Sequence, residues 1–106
     1  MKKALVKIHN IRAGILTENS ETQYMFQYDV DYDGEPISLA LPIRDIPYKF
    51  NAFPPFFDGL LPEGIQLDGL LKVNKIDKTD YFSQLLAAGA DLVGAVTIEE
   101  MDIDDE

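Results

Sequence analysis

The segment Phe53-Pro54-Pro55-Phe56-Phe57-Asp58-Gly59-Leu60-Leu61-Pro62-Glu63-Gly64 limits the folds open to this chain more than any other stretch. It places three Phe, two Leu, three Pro and two Gly in twelve residues. Such apolar density among backbone breakers predicts a short helix closed at both ends. Pro55 suits the first turn, where its missing N–H removes no helical bond. Phe56, Phe57, Leu60 and Leu61 then recur at the spacing of one helix face. Pro62 and Gly64 are expected to stop that helix and redirect the chain.

The flanks differ in period. Before the segment the pattern is strand-like. Lys3–His9 places Leu5, Val6 and Ile8 in an extended stretch, with Asn10 as a turn residue. Ile11–Thr17 follows, with Gly14 marking a bulge or a close approach of backbones. The polar run Glu18–Thr22 reads as a hairpin loop. Gln23–Val30, rich in Tyr, Met, Phe and Val, suits a half-buried strand. Asp31–Pro36 is a turn signal centred on Asp33-Gly34. Ile37, Leu39 and Leu41 alternate with Ser38 and Ala40, which predicts a further strand that Pro42 ends. Residues 42–52 read as an irregular connection.

After the segment the period lengthens. Leu67, Leu70, Leu71 and Val73 mark a second helix, which Gly69 weakens by roughly 1 kcal/mol relative to Ala. Thr79 is the expected N-cap of a third, with Asp80 in its first turn. Tyr81, Phe82, Leu85 and Leu86 form its apolar face and Gly89 its stop. Leu92–Ile98 is expected to return to the sheet as a strand. The fold class that follows is α+β: a small antiparallel β-sheet or partly open barrel with two to three packed helices.

The chain of 106 residues suffices for one core. There is no run of about 18 apolar residues, no signal-peptide pattern and no Cys. The expected location is the cytoplasm. Net charge is −10, and residues 79–106 hold eight acidic and no basic residues. A surface of that sign repels phosphate backbones, which argues against direct nucleic-acid binding. The acidic end, residues 99–106, reads as a solvated terminus or as a means of steering toward a basic partner.

Few residues offer chemistry. Asp29-Val30-Asp31-Tyr32-Asp33-Gly34 matches the first half of an EF-hand loop. The position that needs a bidentate Glu is Ala40, and Pro36 and Ile37 interrupt the run, so a hairpin turn is the better reading. His9 is the only histidine and has no nucleophile motif beside it. Asp58 and Glu63 flank Leu60-Leu61, yet capping or surface roles suit them better than paired-carboxylate catalysis. No phosphate loop or zinc-ligand spacing occurs. Neither a cofactor nor enzyme activity is expected.

Three strings read together carry a resemblance. They are Ile37-Ser38-Leu39-Ala40-Leu41-Pro42, then Phe56-Phe57-Asp58-Gly59-Leu60-Leu61-Pro62-Glu63-Gly64, then Leu85 to Ile98 with its Gly89-Ala90-Asp91-Leu92-Val93-Gly94-Ala95-Val96 centre. In order and spacing they resemble the N-terminal subdomain of HipA-type serine/threonine kinases, over Lys3 to Ile98. Where that family often has Arg between the Gly and the Asp, this chain has Ala90. The resemblance implies a subdomain-like domain at 1–98 and an acidic tail at 99–106. A full HipA-type toxin carries its ATP site and catalytic Asp in later regions, so no catalytic residue transfers to this chain. It is also similar to the small separate antitoxin of split HipBST-type systems. That implies a bacterial antitoxin that inhibits a HipA-like kinase toxin, in a complex with a helix-turn-helix DNA-binding protein. The alternative is an assembly module that docks the kinase to that protein. Leu61, Pro62, Glu63, Gly64 and Ile65 are the expected kinase contact. There prolines preorganise a turn and lower the ordering cost of binding.

Overall fold

The computed structural model describes residues 2–20, 22–62, 64–89, 92 and 95–101, with Ile65 described by its backbone alone. Its elements are β1 (Lys2–Ile8), β2 (Ile11–Ser20), β3 (Gln23–Tyr28), β4 (Tyr48–Phe50), α1 (Pro55–Asp58), α2 (Gly64–Asn74), α3 (Tyr81–Ala88) and β5 (Val96–Met101). The strands form an open antiparallel sheet of order β4-β3-β2-β1-β5. The α+β expectation holds in its open-sheet form.

The alternation of β1 and β3 explains where the core lies. Ala4, Val6 and Ile8 on β1 and Tyr24, Phe26 and Tyr28 on β3 point to one face and are buried. Leu16 of β2 and Ile98 of β5 join them, and Phe57 of α1 with Phe82 and Leu85 of α3 close that face from above. Phe26 and Phe57 meet at 5.8 Å between ring centres, and Phe26 and Tyr28 at 4.9 Å edge to face. Aromatic pairs of this geometry add to the burial of apolar area.

The β1–β2 hairpin turns on His9 and Asn10 alone, both at positive φ (51° and 67°). Paired positive φ matches the right-handed twist of the flanking strands. His9 is exposed, and its backbone N–H donates to the carbonyl of Ala95 at 3.0 Å. The register slips between Val6 and Lys7, so Ala13 is an extra residue beside Gly14. A Cβ on Gly14 would stand 2.4 Å from the Gln27 carbonyl oxygen, the close approach expected of that glycine.

Several elements depart from expectation. β2 runs on to Ser20, so the hairpin loop is shorter than Glu18–Thr22. β4, three residues long, lies in the stretch expected to be irregular. Ile37–Leu41 is not a strand. Ser38 and Leu41 form an isolated bridge, the Leu41 N–H donates to the Ser38 carbonyl at 3.0 Å, and the Ala40 N–H donates to Ser38 Oγ at 3.1 Å. The serine hydroxyl closes a tight turn in place of sheet hydrogen bonds. Consequently Ile37 and Leu41 are buried while Leu39 is 97% exposed. The stretch before it is not a hairpin turn either, because no strand pairs with β3 there. Asp29 is held by Arg12 at 2.7 Å, and the described residues contain no acidic cluster of metal-binding geometry.

Helix ends differ as well. Asp80, not Thr79, caps α3. Its carboxylate accepts the Ser83 N–H at 3.2 Å and the Ser83 hydroxyl at 2.7 Å. Gln84, almost fully buried, donates to the carbonyls of Asp77 and Lys78 and ties the α2–α3 loop to the helix. Gly89 ends α3 as expected, against the sheet: a Cβ there would lie 2.0 Å from the Ile98 carbonyl oxygen. The last strand begins at Val96 rather than Leu92 and includes Glu99, Glu100 and Met101. Glu99 accepts an ion pair from Lys7 at 3.1 Å. The expected strand residues Val93 and Gly94, and the tail residues 102–106, lie outside the described residues.

Candidate functional site

Pro54 is buried, and Pro55 opens α1 as its first helical residue. The Gly59 N–H reaches back four residues to the Pro55 carbonyl at 3.0 Å. The next two bonds are shorter in sequence: Leu60 to the Phe57 carbonyl at 3.1 Å, and Leu61 to the Asp58 carbonyl at 3.2 Å. The helix therefore ends at Asp58 instead of running through Leu61. Pro62 enforces this end, because it disfavours helical backbone at Leu61 and has no N–H to continue the ladder. Phe57 is fully buried, and Phe53, Phe56, Leu60 and Leu61 pack around the core as half-buried residues. Phe53 meets Tyr24 at 5.4 Å and Tyr81 at 5.7 Å, which joins this segment to both β3 and α3.

The expected contact residues divide at this point. Leu61 and Pro62 are half-buried in the link between α1 and α2. Gly64 is exposed at φ +61°, with open space around it. It does stop the preceding link, yet it also starts α2, so Ile65 belongs to a helix and not to a turn. Glu63 and the side chain of Ile65 lie outside the described residues. Asp58 is exposed at the end of α1, where its carbonyl accepts the Leu61 N–H.

The two sides of this link are anchored differently. On the α1 side Phe57 is locked into the aromatic core. On the α2 side, Leu67, Leu70 and Leu71 are half-buried, Val73 is 81% exposed, and no described side chain of the helix is buried.

A second region was not flagged by sequence reasoning. The connection from β3 to β4, residues 29–47, carries Val30, Leu39, Ile43 and Ile46 as exposed apolar side chains. It is nonetheless tightly held. The Tyr28 hydroxyl accepts the Ile37 N–H at 3.0 Å and donates to the Leu41 carbonyl. Tyr48 donates to the Pro42 carbonyl at 2.6 Å. Arg44 lies over the Tyr48 ring at 3.6 Å and donates to the carbonyls of Ile46 and Pro47. Burial pushes the Tyr28 hydroxyl above its ordinary pKa, with the Ile37 N–H acting in the opposite direction. Tyr32 is raised in the same sense, first by burial and then by Glu35 and Asp33. The signal that would have shown this region is the set of tyrosines at 28, 32 and 48. Their hydroxyls are what the loop backbone needs once sheet pairing is absent.

Near the hairpin end of the sheet lies an open cavity of about 400 Å³ lined by residues that include His9, Arg12, Asp29, Asp31, Asp33 and Glu35. The described residues contain no helix long and apolar enough to cross a membrane.

Comparison with known proteins places these features. The family model described as HipA N-terminal domain matches residues 4–99. A solved structure described as the N-terminal domain of HipA toxin superposes with a TM-score of 0.75 at 29% identity, covering 97% of this chain and 95% of that one. An uncharacterized protein of Haemophilus influenzae is 37% identical over 87 residues, which are 82% of this chain and 81% of the relative.

Proposed function

The chain belongs to the HipA N-terminal domain family, and from that membership we propose that it is an antitoxin which binds a HipA-like serine/threonine kinase and suppresses its activity. The family points to a toxin–antitoxin context. The observation that carries the finer reading is the agreement, over 97% of this chain and 95% of the other, with the N-terminal domain of a HipA toxin. A domain of that shape offers a kinase a surface without offering it chemistry. The H. influenzae relative, aligned over about four-fifths of both chains, is itself of about this size.

The link at Leu61, Pro62, Glu63, Gly64 and Ile65 is the kinase contact in this reading. Its α1 side is fixed by Phe57 and the prolines, so little ordering is needed there on binding. On its α2 side, Leu67, Leu70 and Leu71 are half-buried and no described side chain is a core anchor like Phe57. A helix-turn-helix DNA-binding protein completes the complex.

The test is a titration of the cognate HipA-like kinase with this chain, reading kinase autophosphorylation and, in parallel, complex formation. Autophosphorylation falls toward zero as the complex forms. Complex formation with undiminished autophosphorylation contradicts inhibition and leaves the docking role. Ile65→Asp, checked for unchanged folding by circular dichroism, weakens the inhibition. Equal inhibition by that variant would remove the link from the contact while leaving the antitoxin reading intact.

A further inference from the structure

We infer that the turn Ser38–Leu41 is a second docking element, an apolar knob that seats Leu39 in an apolar socket with a basic rim on the kinase. This rests on the reading that a HipA-like kinase is the partner. An exposed leucine by itself means little. Leu39 is different because its loop has no freedom to hide it. Ile37 and Leu41, on either side, are buried, and the Tyr28 hydroxyl holds the backbone of both. Ser38 closes the turn between them through its own hydroxyl and carbonyl. The side chain left at the tip is 97% exposed. A flexible loop would fold such a residue back on the surface, whereas this one is fixed outward before any partner arrives.

Among the described residues, seven large apolar side chains are exposed, and Val30, Leu39, Ile43 and Ile46 are four of them, all within one connection. The hot spots of interaction surfaces are apolar anchors held rigid, as Leu39 is.

Charge identifies the occupant. From Ile37 to Ile43 the chain has no charged residue, while Asp31, Asp33 and Glu35 crowd the preceding stretch; Asp29 is paired with Arg12, and Arg44, on the other side, lies over the Tyr48 ring. That stretch is fastened to the same tyrosine: Tyr32 stacks on Tyr28 at 5.9 Å and its hydroxyl donates to the Glu35 carbonyl. An uncharged knob beside an acidic border calls for an apolar socket beside basic residues. A second copy of this chain is the wrong partner, because it brings acid against acid on a molecule of net charge −10.

The experiment measures binding of the full chain to the cognate HipA-like kinase by titration calorimetry, for wild type, Leu39→Asp and Leu39→Met. Thermal unfolding confirms that each variant is folded. Leu39→Asp weakens binding by at least about tenfold, and Leu39→Met stays within about threefold of wild type. Wild-type binding with an unchanged Leu39→Asp affinity overturns the knob and spares the antitoxin reading. No wild-type binding overturns both. Sedimentation of the chain alone as a dimer that Leu39→Asp dissolves would assign the knob to a second copy and overturn the kinase assignment.

Discussion

Two apolar segments of this domain resemble each other in composition and meet opposite fates. Pro54–Leu61 and Ile37–Ile43 each mix large aliphatic or aromatic residues with proline. The first buries its centre: Phe57 sits against Phe26 and is completely enclosed. The second buries its ends and displays its centre, with Leu39 almost fully in water. Hydropathy does not distinguish them. What does is where the backbone hydrogen bonds go. In the first, one turn of helix turns Phe57 down onto the sheet. In the second, a serine hydroxyl and a tyrosine hydroxyl fix a reversal whose tip has nothing to pack on.

The sharpest way to break this contrast is to truncate the two centres. Phe57→Ala is expected to cost about 3–5 kcal/mol, since it removes a fully buried ring from a close-packed aromatic group. Leu39→Asp is expected to change stability by no more than about 0.5 kcal/mol. Urea denaturation of both variants checks this. Comparable losses would mean that Leu39 belongs to the core.

Removing the clamp on the second segment is the next test. Tyr28→Phe leaves the Ile37 N–H and the Leu41 carbonyl without their partner, and is expected to cost about 1–3 kcal/mol. Amide exchange at Ile37 should rise more than exchange across β1. The same hydroxyl gives a pH signature. The fold favours the neutral phenol and raises its pKa above the ordinary 10.0. Its contribution is therefore complete below pH 10.0 and is lost as pH climbs through the higher folded value. Tyr28→Phe should reduce the alkaline loss and leave the part that Tyr32 contributes, which a pH series of denaturation midpoints measures.

A smaller loss than that of the clamp is expected at a helix end remote from both segments. Asp80→Ala removes the cap of α3 and is expected to lower stability by about 1 kcal/mol. Thr79→Ala should be near neutral, because Thr79 is exposed and does not cap. Reversal of that order in thermal unfolding would restore the cap that composition alone suggests.

Much of the fold was legible in the chain because local rules and tertiary needs coincide there. The β1–β2 hairpin announces itself through alternation and Asn10, Gly14 through its place where backbones crowd, and α3 through the spacing of Phe82, Leu85 and Leu86. The failures share one cause, which is that a pattern can have two geometries. Ile37, Leu39 and Leu41 alternate as a strand does, yet a turn with buried ends gives the same string. Phe57, Leu60 and Leu61 fit one helix face, yet Pro62 ends the ladder before the leucines are reached. β4 is too short to carry a pattern. The proposed contact at Leu61–Ile65 came from the proline-bounded turn, which a short helix cannot bury whole, and the resemblance to HipA-type domains supplied only its kinase partner. Leu39, the other proposed contact, was hidden by the expectation that it faces inward.

Contact of this domain with a HipA-like kinase through the Leu61–Ile65 link and the Leu39 turn is the proposal on which the rest depends. Hydrogen exchange of the chain, free and bound to its cognate kinase, tests it most directly. Exchange is expected to slow at the amides of Leu39, Ala40, Leu61, Gly64 and Ile65, with β2 unchanged. A bound complex in which both segments exchange as in the free chain, with protection elsewhere, would contradict it.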